Sequence, residues 1–301
     1  MIYLIVTVIG IIRNVEGGTV KTAQLHMTSF AWKVAEAGYQ WKRSIRSRQH
    51  LYERNVPGGG FRIYHPMTDT PGLFREFVNL GGKEDIVEFA NKYGVLFDRY
   101  SLDDGIGDKG KYWSIGAHNG TSLAVWGQEI ADMSVLVAIW DSITSERISD
   151  LKRIIFWKEK DGERGVEYKI ETPKHITSEW LALPGAPHPF GEGDLLLPAR
   201  YALRREINKR LSDEFNDSDV NKIACAPRLV WNPDGSQALA IMPPNLLGAM
   251  WLQFAQFASG RYQLKTCPGC GKYFQAGEGA PRRADAITCS DKCRQRKKRN
   301  P

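Results

Sequence analysis

The sequence predicts an α+β fold, a mainly helical body with short strands or hairpins followed by a small C-terminal module. Three observations carry this. Two long stretches, 122–143 and 245–259, repeat apolar residues at helical spacing. Short apolar segments flank turn chemistry at Asn232-Pro233-Asp234-Gly235, as in a hairpin. From 261 onward the composition changes abruptly: four of the five cysteines lie there, among 11 basic and only 3 acidic residues. With 301 residues, 42% hydrophobic and 25% charged, the chain is long enough for one large or two modest globular domains. The division expected is 1–26 as a non-globular or extra N-terminal segment, 27–260 as the body, and 261–301 as the module.

The apolar run Met1 to Ile12 is too short to cross a bilayer and lacks the basic n-region and cleavage site of a secretory signal. It reads as an extra segment from an upstream start codon, because Met27 opens a more globular stretch. An edge strand or membrane-associating segment is the other reading. Phe30 to Glu36 then has partial strand alternation. Pro57-Gly58-Gly59-Gly60 lacks the Gly-Lys-Ser/Thr ending of a phosphate loop, so a flexible turn is expected. Helices follow over Leu73 to Leu80 and Lys83 to Tyr93, with Phe74, Phe77, Ile86, Phe89 and Tyr93 inward and Gly94 as the stop. The acidic loop Asp103 to Asp108 misses calcium-loop spacing and reads as a solvated turn.

The longest helix is expected from about Ser122 to Ile143, with Trp126, Ile130, Met133, Val137 and Trp140 on one core-facing stripe. A second helix through Leu151, Ile154 and Ile155 should pack beside it, before a strand at Gly165 to Glu171. Leu183 to Gly193 is a Pro/Gly-rich connection. Pro198 suits the first turn of a helix reaching Phe215, with Leu203, Ile207 and Leu211 inward and Arg204, Arg205 and Arg210 on a solvated face. Leu229 to Trp231 and Ala238 to Ile241 form the hairpin. Asn245 to Ser259, apolar nearly all round, should be a central helix that Gly260 ends. The short join after it places the module against the body rather than on a tether.

In the module, Cys267 and Cys270 are separated by two residues, Cys289 and Cys293 by three, and eighteen residues lie between the pairs. This is the spacing of a four-thiolate zinc site, one ion per chain. Gly269 lets a Cys-Pro-Gly-Cys turn aim two sulfurs at one point, and Ser290 or Asp291 can cap a helix that begins with Cys293. Two disulfides would need an oxidising compartment, and a redox Cys-x-x-Cys would not need a second pair at ligand spacing. Cys225, among small and apolar residues, reads as an inert core thiol. A knuckle, a hairpin through Lys272 to Gln275, a loop and a helix give the ligand order of a treble-clef finger.

Cys267 to Arg299, with its Cys-Ser-x-x-Cys-Arg-x-Arg ending, resembles the C-terminal fingers of bacterial CGNR-type regulators. It departs from them in closer cysteine pairs and in the Arg294-Gln295-Arg296 that follows the last ligand. The short segment Phe89 to Gly94 is also similar to one in zinc-tailed bacterial proteins. The resemblance implies DNA binding by the finger; the expectation is a cytoplasmic transcription regulator whose body senses a small-molecule ligand or mediates association with a protein partner.

Charge points the same way from the residues alone. The whole chain carries a net +7, but 261–301 alone carries +8, falling to about +6 once four thiolates and a zinc are counted. A basic module on a near-neutral body is the footprint of a polyanion binder. Arg282 and Arg283 of the loop, with Arg294, Arg296, Lys297, Lys298 and Arg299 of the terminal helix, are the candidate phosphate contacts. The other reading of these cations is a solvated helix end. Catalytic signals are few: the six histidines are scattered, and no Gly-x-Ser-x-Gly elbow occurs. The alternatives to a duplex-DNA regulator are an RNA-binding or processing protein, and an enzyme or protein-interaction module with a purely structural finger. Exposed Tyr262, Tyr273 or Phe274 would favour single strands.

Overall fold

A computed structural model describes residues 30–43, 49–97, 121–171, 176–182, 191, 193–212, 225–231, 237–260, 263–277 and 280–299. The expectations for 1–26, for the acidic loop 103–108, for most of 183–193, for the turn 232–235, for 213–215 and for Tyr262 lie outside these residues. Among the described residues there are twelve strands and eight helices. The fold is mixed α+β as expected, with more strand than the apolar periodicity alone suggested.

The first strand, β1 (Trp32–Ala35), pairs antiparallel with β4 (Phe61–Tyr64), while β2 (Tyr39–Arg43) and β3 (Gln49–Glu53) pair with each other. The glycine loop between β3 and β4 is a turn, in which the Gly59 N–H donates to Val56 O at 3.0 Å. Helices α1 (Pro66–Asp69), α2 (Leu73–Phe77) and α3 (Lys83–Tyr93) follow. Every side chain expected to face inward on α2 and α3 is buried. A short strand, β5 (Thr121–Ser122), joins β3 and runs into α4 (Leu123–Thr144). Ser122 caps α4 by accepting from the Val125 N–H at 3.3 Å.

By length and composition α4 could cross a membrane. One side of it packs into the core, where Trp126, Met133, Leu136 and Val137 are buried, and its two aspartates are paired to other elements, Asp132 with Arg210 and Asp141 with Arg75.

The expected second helix through Ile155 does not form. α5 (Ile148–Leu151) stops after one turn, and Ile155 opens the strand β6 (Ile155–Lys160), paired with β7 (Glu163–Glu171) and through it with β8 (Ile176–Ala182). Asp161 and Gly162 both have positive φ, +54° and +78°, the two-residue turn whose twist suits a right-twisted hairpin. Once that turn closes, Ile155 is registered opposite Tyr168 and cannot remain helical.

α6 (Leu196–Leu211) buries Leu203 and Ile207 as expected but overturns the outward placement of Arg210. The Arg210 guanidinium pairs with Asp132 and lies 3.6 Å from Glu129, with a side chain only 11% exposed. Neutralising two α4 carboxylates outweighs hydrating one cation, because unpaired charges in that position would be far costlier.

β9 (Ala226–Trp231) and β10 (Gln237–Met242) form the expected hairpin, with Leu229 opposite Leu239. Then α7 (Leu246–Ala258), capped by Asn245 accepting from the Gly248 N–H at 2.8 Å, runs through the core. Phe254 and Phe257 lie 5.3 and 5.7 Å from Phe74, ring centre to ring centre. The chain ends in the hairpin β11 (Gln263–Thr266) and β12 (Tyr273–Ala276), then α8 (Asp291–Arg299).

The hairpin rests on the body at Gly72, the residue before α2. Gly72 has φ +86°, and a Cβ there would sit 3.0 Å from both Leu264 methyl carbons and from the Tyr273 Cβ. Leu264 thereby joins the main apolar core.

Candidate metal centre

β11 leads directly into Cys267, and the turn after it folds back on itself. The Cys267 carbonyl accepts from the N–H of Cys270 at 3.3 Å and of Gly271 at 2.8 Å, while the Cys267 N–H donates to Lys272 O at 2.9 Å. This knuckle needs two glycines for different reasons. Gly271 takes a positive φ of +69°. Gly269 does not; its role is close approach, since a Cβ would meet the Cys293 carbonyl oxygen at 3.1 Å and its Cβ at 3.2 Å. The tight backbone turn expected of Gly269 thus belongs to Gly271.

The second pair is held by α8. Ser290 accepts from the Cys293 N–H at 3.2 Å through its Oγ, so Ser290 is the cap and Asp291 is the first helical residue. The connecting loop is pinned by Lys265, whose Nζ donates to Ala284 O at 2.5 Å and Ala286 O at 3.4 Å. Sequence reasoning passed over Lys265, as no local pattern marks a lysine that donates across a loop nearly twenty residues away.

These elements bring the four sulfurs within 4.8 Å of one another. Cys270 to Cys289 and Cys289 to Cys293 are each 3.6 Å. Four thiolates at ~2.3 Å from a tetrahedral ion stand about 3.8 Å apart, so the spacing fits one metal ion. No disulfide joins any of the five cysteines in this structure. Among the described residues this is the group of ligand-type side chains close enough to share an ion.

Without metal the thiols divide their protons unequally. Burial pushes Cys267 up, but N–H donors of Cys289 and Gly269 and the thiols of Cys289 and Cys270 outweigh it and hold Cys267 at about 6. Burial, and then hydrogen bonds to the other three thiols, push Cys289 up to about 12. A divalent ion would convert this single favoured thiolate into four, with release of protons.

The seven cations singled out from sequence surround the centre unevenly. Arg282 is partly buried and lies 3.3 Å from Asp291, which Arg294 also approaches at 3.4 Å. Arg283 is exposed. Arg296 donates to Gly269 O at 3.3 Å, bracing the knuckle from the helix. Lys297, Lys298 and Arg299 continue α8, and their side chains lie outside the described residues. Phe274 is buried under the sulfurs and cannot stack on a base, whereas Tyr273 is partly exposed. Cys225 is only partly buried, its Sγ 3.9 Å from Gly248 O, and it stands outside the group of four sulfurs.

Of the six histidines, His50 lies on β3 and His65 precedes α1, and the other four lie outside the described residues. No protein-family model, no curated protein and no solved structure matches this chain.

Proposed function

We propose that the C-terminal module is a treble-clef-like finger holding one zinc through Cys267, Cys270, Cys289 and Cys293, and that it binds duplex DNA as part of a cytoplasmic transcription regulator. The observation that carries the nucleic-acid reading is the exposure of α8. Cys293 is buried, while Asp291, Lys292, Arg294, Gln295 and Arg296 are all exposed. Among its described side chains α8 buries only this ligand and presents Lys292, Arg294 and Arg296 to solvent. Its N-terminus supports the centre, because a zinc-tetrathiolate is negative and the free N–H groups there are partly positive. The knuckle glycines, the Ser290 cap and the sulfur spacing support zinc as the resident ion.

Arg282, Arg283, Arg294, Arg296, Lys297, Lys298 and Arg299 are the proposed phosphate contacts. Phosphate contacts fix position without reading sequence, so any preference among DNA sites must come from base contacts or from paired half-sites. The test is a salt titration of the zinc-loaded protein on duplex DNA, single-stranded DNA and RNA. Neutralising about four phosphates gives a slope of log K against log salt of roughly −3.6 on duplex. Binding to RNA alone would move the assignment to the RNA alternative. Binding to none of the three at low salt would leave the finger purely structural.

A further inference from the structure

Where β11 and β12 meet the body they close one side of a cavity of about 420 Å³, whose other walls come from α2 and α4. Small-ligand sites span ~300–1,000 Å³. One wall is a fixed cation. Arg75 Nη1 lies 2.6 Å from Asp141 Oδ2, and Nη2 bonds the other carboxylate oxygen. Its guanidinium carbon sits 4.8 Å over the Trp140 ring. A two-point bond to a carboxylate keeps the guanidinium in a set plane, and the Trp140 ring, with the Phe74 ring 5.6 Å from the same carbon, packs against it. The side chain remains 20% exposed and lines the cavity. A planar, weakly hydrated cation held flat is a surface on which another flat π system stacks.

The rest of the lining chooses among flat ligands. Asn79, Ser134 and Asp141 bring polar atoms to the cavity, and Asn79 uses its Nδ2 on Arg75 O at 2.8 Å, leaving its amide oxygen to accept. A hydrocarbon ring would desolvate these groups without pairing them. A ring with N–H donors along its edge would pair the acceptor oxygens of Asn79, Ser134 and Asp141, the Ser134 proton being already given to Ile130 O at 2.7 Å. The Arg75–Asp141 pair is neutral as a unit, so the ring itself need carry no charge.

We propose that this cavity binds a planar nitrogen heterocycle of the nucleobase class, stacked on the Arg75 guanidinium with its polar edge toward Asn79, Ser134 and Asp141. Leu264 and Tyr273, from the hairpin that leads into the cysteine knuckle, form the facing wall. A ring seated there touches both the body and the finger. The ring can come from a free mononucleotide or from an unpaired base of a strand, which share this chemistry. The inference goes beyond the finger's duplex contacts and does not depend on them.

The test is calorimetric titration of the full-length, zinc-loaded protein with AMP, with GMP, and with a DNA hairpin carrying one extrahelical purine. Two variants accompany it. Arg75→Lys keeps the charge and removes the plane. Ala138→Phe fills the cavity from an exposed position on α4 without touching the core. Each should weaken binding at least tenfold, with zinc content and circular dichroism unchanged in Ala138→Phe. AMP or GMP binding that Ala138→Phe weakens supports a free nucleotide, and binding confined to the hairpin with the same sensitivity supports a strand base. No binding of any probe by folded protein, or binding equal in wild type and Ala138→Phe, overturns the proposal. Affinity for fully paired duplex, read in parallel, reports the finger alone, so either reading can fail without the other.

Discussion

The body and the C-terminal module solve the problem of cohesion differently. Trp32, Trp126, Trp251, Phe74, Phe77, Phe254 and Phe257 are all essentially fully buried in one continuous core. The module's own interior is Phe274, Ala276 and the sulfur-bearing Cys267 and Cys293, with Ala286 and Cys289 beside them. Each large apolar side chain withdrawn from water contributes roughly 1.5–3 kcal/mol, while ordering the backbone costs about 1–2 kcal/mol per residue. A module with one buried aromatic ring cannot offset the ordering of its loops by burial. On the proposed reading coordination replaces area, since a structural zinc supplies about 10–16 kcal/mol in isolated fingers.

The largest break in this comparison comes from removing a ligand. Cys289→Ser should release the metal, measured by elemental analysis of the purified protein, and the module should lose its protection from proteolysis. The body's unfolding transition should persist, because its core does not include the sulfurs. Loss of both transitions together would show that the two regions form one cooperative unit. Cys225→Ser, in the body, should leave metal content unchanged.

Next in size is the charge that the body encloses. Arg210→Met leaves Asp132, 1% exposed, and Glu129 without their cation, and should destabilise by about 3–5 kcal/mol in denaturant unfolding. Zinc content should not change. A variant as stable as wild type would mean that water reaches these carboxylates and that the body is looser than its buried rings indicate.

The joint between the two regions is tested by Gly72→Ala. It combines a left-handed backbone with a Cβ forced against Leu264 and Tyr273, a strain of about 1–3 kcal/mol. The expected result is a lower melting temperature with full zinc retention and faster cleavage in the join after Gly260. An unchanged cleavage rate would place the hairpin's hold on the body elsewhere.

The smallest effect on stability belongs to the cations. Arg294, Arg296 and Lys297 changed together to Ala should alter unfolding by no more than about 0.5 kcal/mol, since described side chains there are solvent-exposed. The same change should flatten the salt dependence of duplex binding. A melting shift well beyond that would make the bond from Arg296 to Gly269 O a structural brace first and a phosphate contact second.

What could be read in the sequence follows from how local each cause is. α4 and α7 were legible to within a residue, because Ser122 and Asn245 cap them and their apolar repeats are long. The four sulfurs were legible because metal-ligand spacing is a local code, and bringing them together requires only two short turns of chain to be right. The β6–β7 hairpin was marked by Asp161-Gly162, yet the apolar Leu151, Ile154 and Ile155 before it fit helical spacing equally well. Arg210 was misplaced because its partner, Asp132, is 78 residues earlier, and no local pattern reveals that. The seating of Leu264 on Gly72 was hidden for the same reason, although the short join after Gly260 did indicate contact.

The Gln253 amide, buried on α7, donates to Pro66 O at 2.8 Å and to Thr70 O at 3.1 Å, across 187 and 183 residues of chain. Those carbonyls belong to α1 and its C-terminal cap, where Pro66 O also accepts from the Thr70 hydroxyl and Thr70 O from the Leu73 N–H, each at 3.1 Å. Until α7 leaves the ribosome, the N-terminal elements lack both that donor and the rings of Phe254 and Phe257 on which Phe74 packs. Contacts this distant in sequence form late and slow folding. A nascent chain halted before 245 should therefore stay protease-sensitive through α1 and α2, and a chain released after 260 should become resistant there before it has acquired a metal ligand.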